Sequence, residues 1–149
     1  MITKKAGVST GTFYLYFKSK TEIYRRLNAE GNDILHRLIK DSISWPGMTQ
    51  IARLSAIAGA YYRYYVEFPG YYKISSIHNI GQKDFLNRTE AQNHLNRQAQ
   101  QILEMIEAVL REGIDQGEFQ PMDIRRATTA LWGMLDGMFI LAEREHQNL

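Results

Sequence analysis

Residues 9 to 20 read STGTFYLYFKSK and set hydroxyls and amines at close spacing. Thr10, Thr12, Tyr14 and Tyr16 carry hydroxyls, Lys18 and Lys20 carry charge, and Gly11 removes bulk between them. That set suits reversible binding of a polyanion. Hydroxyls donate to phosphate oxygens, and ammonium groups add an attraction that salt weakens. A threonine can also bond a base edge or meet a thymine methyl. Residues 1 to 27 hold six basic side chains against the single acid Glu22, whereas the whole chain has a net charge of only +2. A basic head on a mildly acidic body points to an anionic partner at the head alone. From charge alone, a solvated basic surface reads equally well, and Lys18 reads equally as a turn lysine.

These side chains need a rigid frame. The run Phe13-Tyr14-Leu15-Tyr16-Phe17 is rich in strand formers. Its flanks argue otherwise. Ala6-Gly7-Val8 predicts a tight turn in which Gly7 takes positive φ. Ser9 predicts an N-cap for a short helix over 10–17, and Ser19 caps the next. On that helix Phe13 and Phe17 share a face and are expected to pack inward with Val8 and Ile23. Tyr14 and Tyr16 then face out, behind an exposed first turn of Thr10, Gly11 and Thr12. A helix-turn-helix reads the major groove with that part of its second helix.

Residues 2 to 24, ITKKAGVSTGTFYLYFKSKTEIY, resemble the DNA-binding signature of the tetracycline-repressor (TetR) family of bacterial regulators. Ala6, Gly7, Val8, Ser9, Gly11, Thr12, Tyr14, Tyr16, Phe17, Ser19 and Lys20 all fall in its pattern. The resemblance implies that Thr10 takes the variable base-contacting position and that Gly11 and Thr12 approach backbone and base edges. It implies base-methyl and phosphate contacts for Tyr14 and Tyr16, and a phosphate contact for Lys20. It also implies a first helix upstream, since Met1 falls inside what corresponds to the family's second helix; the head as written is N-terminally incomplete.

The remaining chain reads as all-α. Ser19-Lys20-Thr21-Glu22 fits a capping box opening a helix over 19 to about 44, with Ile23, Leu27, Ile34, Leu38 and Leu35 on its apolar side and Gly31 weakening its middle. Pro46 ends it. A second helix over 49–67 places Ile51, Leu54, Ala58, Tyr61, Tyr62 and Tyr65 inward. A short helix is expected near 71–79, and a polar loop over 81–90. Ala99, Ile102, Leu103, Ile106, Leu110 and Ile114 mark an amphipathic helix over 91–115. Asp123 starts the last helix, with Ile124, Ala127, Leu131, Met134, Leu135 and Met138 on its buried face. The expected division is a head over 1–27 and a regulatory and dimerisation domain over 28–149.

The densest aromatic cluster, AYYRYYVEFPGYY, spans residues 60 to 72. So many buried hydroxyls would each need a partner. The cluster therefore reads either as core or as a pocket for a small apolar or aromatic effector, formed by Tyr61, Tyr62, Tyr65, Phe68, Tyr72, His78 and Trp132. His78 alone reads as an ordinary satisfied or exposed histidine, and Trp132 as core or pocket. The tail REGIDQGEFQPMDIRRATTALWGMLDGMFIL resembles the last two helices of many family members, which pair with a second subunit. That implies a homodimer through Ile106, Leu110, Leu131, Gly133 and Gly137; packing of the glycines inside one subunit is the alternative.

The chain has no cysteine, which excludes disulfides, thiolate metal sites and cysteine nucleophiles, and suits a cytoplasmic location. No apolar run approaches a transmembrane length and no secretion signal is expected. His36, His78, His94 and His146 are scattered without metal-ligand spacing, and no phosphate loop or nucleophile elbow occurs. No metal, cofactor or catalytic group is expected. The function expected is a dimeric regulator that binds operator DNA and is released by its effector. The alternatives are a dimeric ligand-binding helical module not competent for DNA, and an all-α enzyme acting at the aromatic region.

Overall fold

The computed structural model describes residues 7, 9–17, 19–80 and 90–147. Among these it consists of helices and no strand: α1 (Thr10–Tyr16), α2 (Lys20–Ser42), α3 (Gln50–Glu67), α4 (Pro69–Ile80), α5 (Glu90–Asp115) and α6 (Ile124–Gln147).

Local chemistry explains the boundaries. Side-chain oxygens accept from the third amide beyond them at four starts: Ser9 from Thr12 (3.0 Å), Ser19 from Glu22 (3.1 Å), Thr49 from Ala52 (3.2 Å) and Asp123 from Arg126 (3.1 Å). Each satisfies a donor that has no partner within its own helix. Pro69 is the first residue of α4, where its missing N–H costs nothing. Gly117 turns with φ +77° after α5, and the Phe119 amide then donates back to the Gly113 carbonyl (3.0 Å). Phe119 lies so close over Gly113 that a β-carbon there would overlap its ring.

Helix α3 is central, packed against α2, α4 and α5. The core joins Leu35 and Ile39 of α2, Ile57, Ala60, Tyr61 and Tyr64 of α3, Tyr72 of α4, Ile102, Ile106, Val109 and Leu110 of α5, and Phe139 of α6. Burying each large aliphatic or aromatic side chain contributes about 1.5–3 kcal/mol before the entropy of ordering it.

Several faces differ from the periodic reading. On α2 the buried residues are Asn28, Gly31, Leu35 and Ile39; Ile34 and Leu38 pack only partly. The helix meets three neighbours, so its buried arc lies beside the aliphatic stripe. On α3, Ile51 and Tyr62 are exposed, while Ile57, Ala60 and Tyr64 are buried. On α5, Ala99 is exposed. On α6, Met134 and Met138 stand in solvent, and Thr128 and Phe139 are buried instead. The short helix expected over 71–79 starts two residues earlier. Of the loop expected over 81–90, Glu90 instead opens α5; the rest of it and the contact with Val8 lie outside the described residues.

A polar junction fixes α3 to the end of α5. The Glu118 carboxylate accepts from the amides of Gln50 (2.8 Å) and Ile51 (3.4 Å) at the start of α3. The buried Gln50 side chain donates to Glu112 (3.2 Å) and Gln116 (3.3 Å), and Arg53 pairs with Glu112 at 3.4 Å. A carboxylate at a helix N-terminus both satisfies amides and complements the helix dipole.

Candidate nucleic-acid interface, aromatic layer and outer seam

The head is a short helix held between two serine caps. The Ser9 and Thr12 hydroxyls are 2.8 Å apart, which orients Thr12 within the first turn. Gly11, Thr12 and Lys20 are exposed, and Tyr16 is 70% exposed. Thr10 and Tyr14 lie on α1 with them; Lys18 is outside the described residues. Phe17 is half-buried, with the Arg26 guanidinium 5.4 Å from its ring centre. Arg26 also pairs with Glu22 at 2.8 Å. Leu15, which the sequence did not single out, is exposed beside this group. The solvent face of α1 thus offers small groups, a hydroxyl and a phenol next to the lysine that opens α2. Such a surface can approach a phosphate backbone closely.

The aromatic cluster forms one layer across α3, α4 and α6. Tyr61 stacks on Trp132 at 4.5 Å and meets the edge of Phe139 at 5.1 Å. Tyr65 stacks on Phe139 at 4.8 Å, 3° from parallel, and meets Tyr72 edge-on at 4.9 Å. Tyr64 extends the layer to Phe68 at 6.2 Å. Tyr61, Tyr64 and Tyr72 are buried. Tyr62 is exposed, and Tyr65, Phe68 and Trp132 are half-buried. The cluster is core along one side and retains open aromatic surface along the other. His78 lies on α4. Of the hydroxyls, Tyr61 donates to the Asp136 carboxylate of α6. Burial raises the Asp136 pKa from its ordinary value, against the hydrogen bond from Tyr61. Burial, then the Asp136 charge, pushes the Tyr61 phenol far up. Sequence reasoning missed Asp136, a carboxylate on a helix whose neighbouring charges face solvent.

The outer face of α6 is a different surface. Ala130, Met134 and Leu141 are exposed and Gly137 partly so, in steps of four, three and four residues. Gly133 and Met138 flank them. A β-carbon at Gly133 or Gly137 would meet nothing within 4 Å, so neither glycine serves packing inside this subunit. Ile106 and Leu110, expected at a dimer surface, are 2% and 3% exposed in the subunit's own core and have no surface left to share. Leu131 also packs against that core. A groove of about 530 Å³ between α5 and α6 is lined by Gln100, Glu107, Arg111, Met122, Asp123, Ile124 and Arg125. None of the expected effector residues lines it.

No helix among the described residues is long and apolar enough to cross a membrane. Among the same residues, no group of three or more His, Cys, Asp or Glu could hold a metal ion.

Comparison with known proteins places this geometry. Residues 1–27 match the family model described as bacterial regulatory proteins, tetR family. Residues 47–140 match that of the tetracyclin repressor-like C-terminal domain. The chain is 26% identical over 140 residues to the "Fatty acid metabolism regulator protein" of Bacillus subtilis (strain 168), covering 91% of this chain and 67% of that one. Solved structures share its fold, two of them as follows. One is the TetR family transcriptional regulator PfmR from Thermus thermophilus, with TM-score 0.76 and 22% identity over 92% of this chain and 71% of that one. The other is the transcriptional regulator FadR from Bacillus subtilis in complex with stearoyl-CoA, with TM-score 0.74 and 24% identity over 99% and 77%.

Proposed function

Because this chain belongs to the tetracycline-repressor family of bacterial regulatory proteins, we propose that it is a dimeric repressor whose hold on its operator is released by a long-chain acyl effector. It is a DNA-binding transcriptional regulator, and its relatives are regulators rather than enzymes. The observation that carries the reading is the head: α1, capped by Ser9 and followed by the Ser19 cap, turns Gly11, Thr12 and Tyr16 outward beside Lys20. In this reading residues 1–27 hold the operator, with Thr10, Tyr14 and Lys18 as further contacts. Residues 28–149 hold the effector and the second subunit, and the protein acts in the cytoplasm.

An effector with a long apolar chain is supported by the relative named for fatty acid metabolism and by the regulator solved with stearoyl-CoA. The open aromatic surface of Tyr62, Tyr65, Phe68 and Trp132 offers such a chain a stacking wall. The dimer forms through the seam Ala130, Met134, Gly137 and Leu141, whose spacing suits helix-on-helix packing. Two heads are needed to meet two half-sites about one turn of DNA apart. The effector and the operator then oppose each other through the two-state dimer.

The test is a duplex selected by the purified protein from a random pool, followed by fluorescence anisotropy. Tight binding that falls steeply with salt, and is lost with stearoyl-CoA but not with coenzyme A alone, is expected. Selection of no duplex would overturn the operator reading. Selection with no response to stearoyl-CoA would overturn the effector.

A further inference from the structure

Leu15 is 83% exposed, more than any other large apolar side chain among the described residues. A single exposed leucine is ordinary on a protein surface. Its surroundings set this one apart. It stands on α1 four residues after Gly11, a spacing that puts the two on one stripe of the helix. Helical side chains lean toward the N-terminus, so Leu15 overhangs the turn in which Gly11 bears no side chain. Among the described residues, the atom a β-carbon at Gly11 would approach is the Ser9 hydroxyl oxygen, 3.8 Å away. The neighbouring stripe carries Thr12 and Tyr16, also four apart and both exposed. Directly after α1, Phe17 is half-buried, with the Arg26 guanidinium of α2 at 5.4 Å from its ring centre. Positions two apart on a helix lie nearly opposite each other, so Leu15 stands away from the side that meets α2.

Building on the reading of residues 1–27 as the operator-holding head, we infer that Leu15 is a specificity residue that reads the 5-methyl group of a thymine in each half-site. Residues 1–27 hold six basic side chains against one acid, and the exposed Lys20 opens the next helix. The partner this surface attracts is a polyanion. An apolar side chain within that surface gains only where the polyanion is itself apolar. Against a phosphate, the leucine would strip water from a charge and return no hydrogen bond. In the major groove the base edges present donors and acceptors, and thymine alone adds a methyl group. The bare backbone at Gly11 lets the helix come close enough for Leu15 to reach that edge. Such a contact distinguishes thymine from uracil as well as from the other bases. It carries no charge, so it adds nothing to the salt dependence.

The test starts from the duplex that the purified protein selects from a random pool. Each thymine in turn is replaced by deoxyuridine, which removes the methyl group and leaves base pairing intact. Fluorescence anisotropy then compares the parent with Leu15→Ala and Leu15→Gln. Alanine and glutamine are good helix formers, so at this exposed position both variants are expected to keep the stability of α1. In the parent, loss of the methyl at one thymine of each half-site is expected to weaken binding about fourfold, the size of one buried methyl group. Both variants are expected to bind the thymine and uracil duplexes equally at that position. They are expected to keep the parent's response at every other thymine, and its salt slope. A variant that still distinguishes thymine from uracil as the parent does overturns the contact. So does a parent that ignores every methyl, or a selected half-site without thymine. Melting curves expose a packing role: a lower melting temperature, with weaker binding to all duplexes alike, marks Leu15 as a residue covered by protein and overturns the contact too. If the parent selects no duplex, the operator reading itself fails and takes the Leu15 contact with it.

Discussion

The hydroxyl of Tyr61 on α3 donates to the carboxylate of Asp136 on α6, and the two residues are 75 positions apart. This is a polar bond inside a layer of stacked rings, between the helix that carries the aromatic cluster and the helix that carries the outer seam. Its energetics follow from burial. Ionising Asp136 costs more in the folded protein than in the unfolded chain, since desolvation raises its pKa.

That gives a signed pH prediction. A carboxyl with a raised folded pKa contributes stability that is full below its unfolded pKa and is lost as pH rises through the folded value. Asp136→Asn keeps an acceptor for Tyr61 without the charge. Its melting temperature relative to the parent should therefore rise as pH climbs out of the ordinary carboxylate range. Melting curves in a pH series check this; a difference that stays constant with pH would sink it.

Glu118 should matter to a helix it does not belong to. Its carboxylate accepts from Gln50 and Ile51 at the start of α3. Glu118→Ala should cost about 0.5–2 kcal/mol, the range of a lost N-cap. Glu118→Gln should cost less, because the acceptor remains while the charge is gone. Urea unfolding measures both. Equal losses in the two variants would show that charge alone is at work.

The outer seam of α6 predicts the oligomeric state. Met134→Glu sets a charge into a stripe of small and apolar residues whose native side chain is 58% exposed. It should leave the subunit folded, shift the dimer toward monomer in sedimentation, and weaken operator binding. Ile106→Ala, by contrast, should destabilise the subunit itself by about 2–5 kcal/mol, because Ile106 lies in the core. A Met134→Glu variant that remains a full dimer would move the interface elsewhere.

At the head, the two kinds of contact should separate by salt. Lys20→Ala should weaken DNA binding about equally for all sequences and lower the salt slope by about one phosphate. Tyr16→Ala should weaken binding with less change in that slope, since its exposed phenol carries no charge. Anisotropy titrations at several salt concentrations distinguish them. Identical slopes for the parent and Lys20→Ala would remove Lys20 from the phosphate contacts.

Much of this protein could be read from short stretches. Caps at Ser9, Ser19 and Asp123, breaks at Pro46 and Pro69, and the turn at Gly117 act within a few residues of themselves, so the all-α order and most helix limits follow from sequence alone. The hydroxyl and lysine set of the head belongs to the same class, because its chemistry lies on one short helix and the turn after it. The tertiary structure decided the rest. A period of 3.6 residues establishes that a helix has a buried side, but helices with several neighbours bury an arc that those neighbours choose. That is why Tyr64 went inward and Tyr62 outward on α3, and why Met134 and Met138 left the core. It is also why Gly31, which reads as a weak point in a helix, became a seat for two tyrosines. Bonds such as Tyr61 to Asp136 and Glu118 to Gln50 join residues 75 and 68 positions apart and leave no local pattern. Only the packing of the helices brings them within reach.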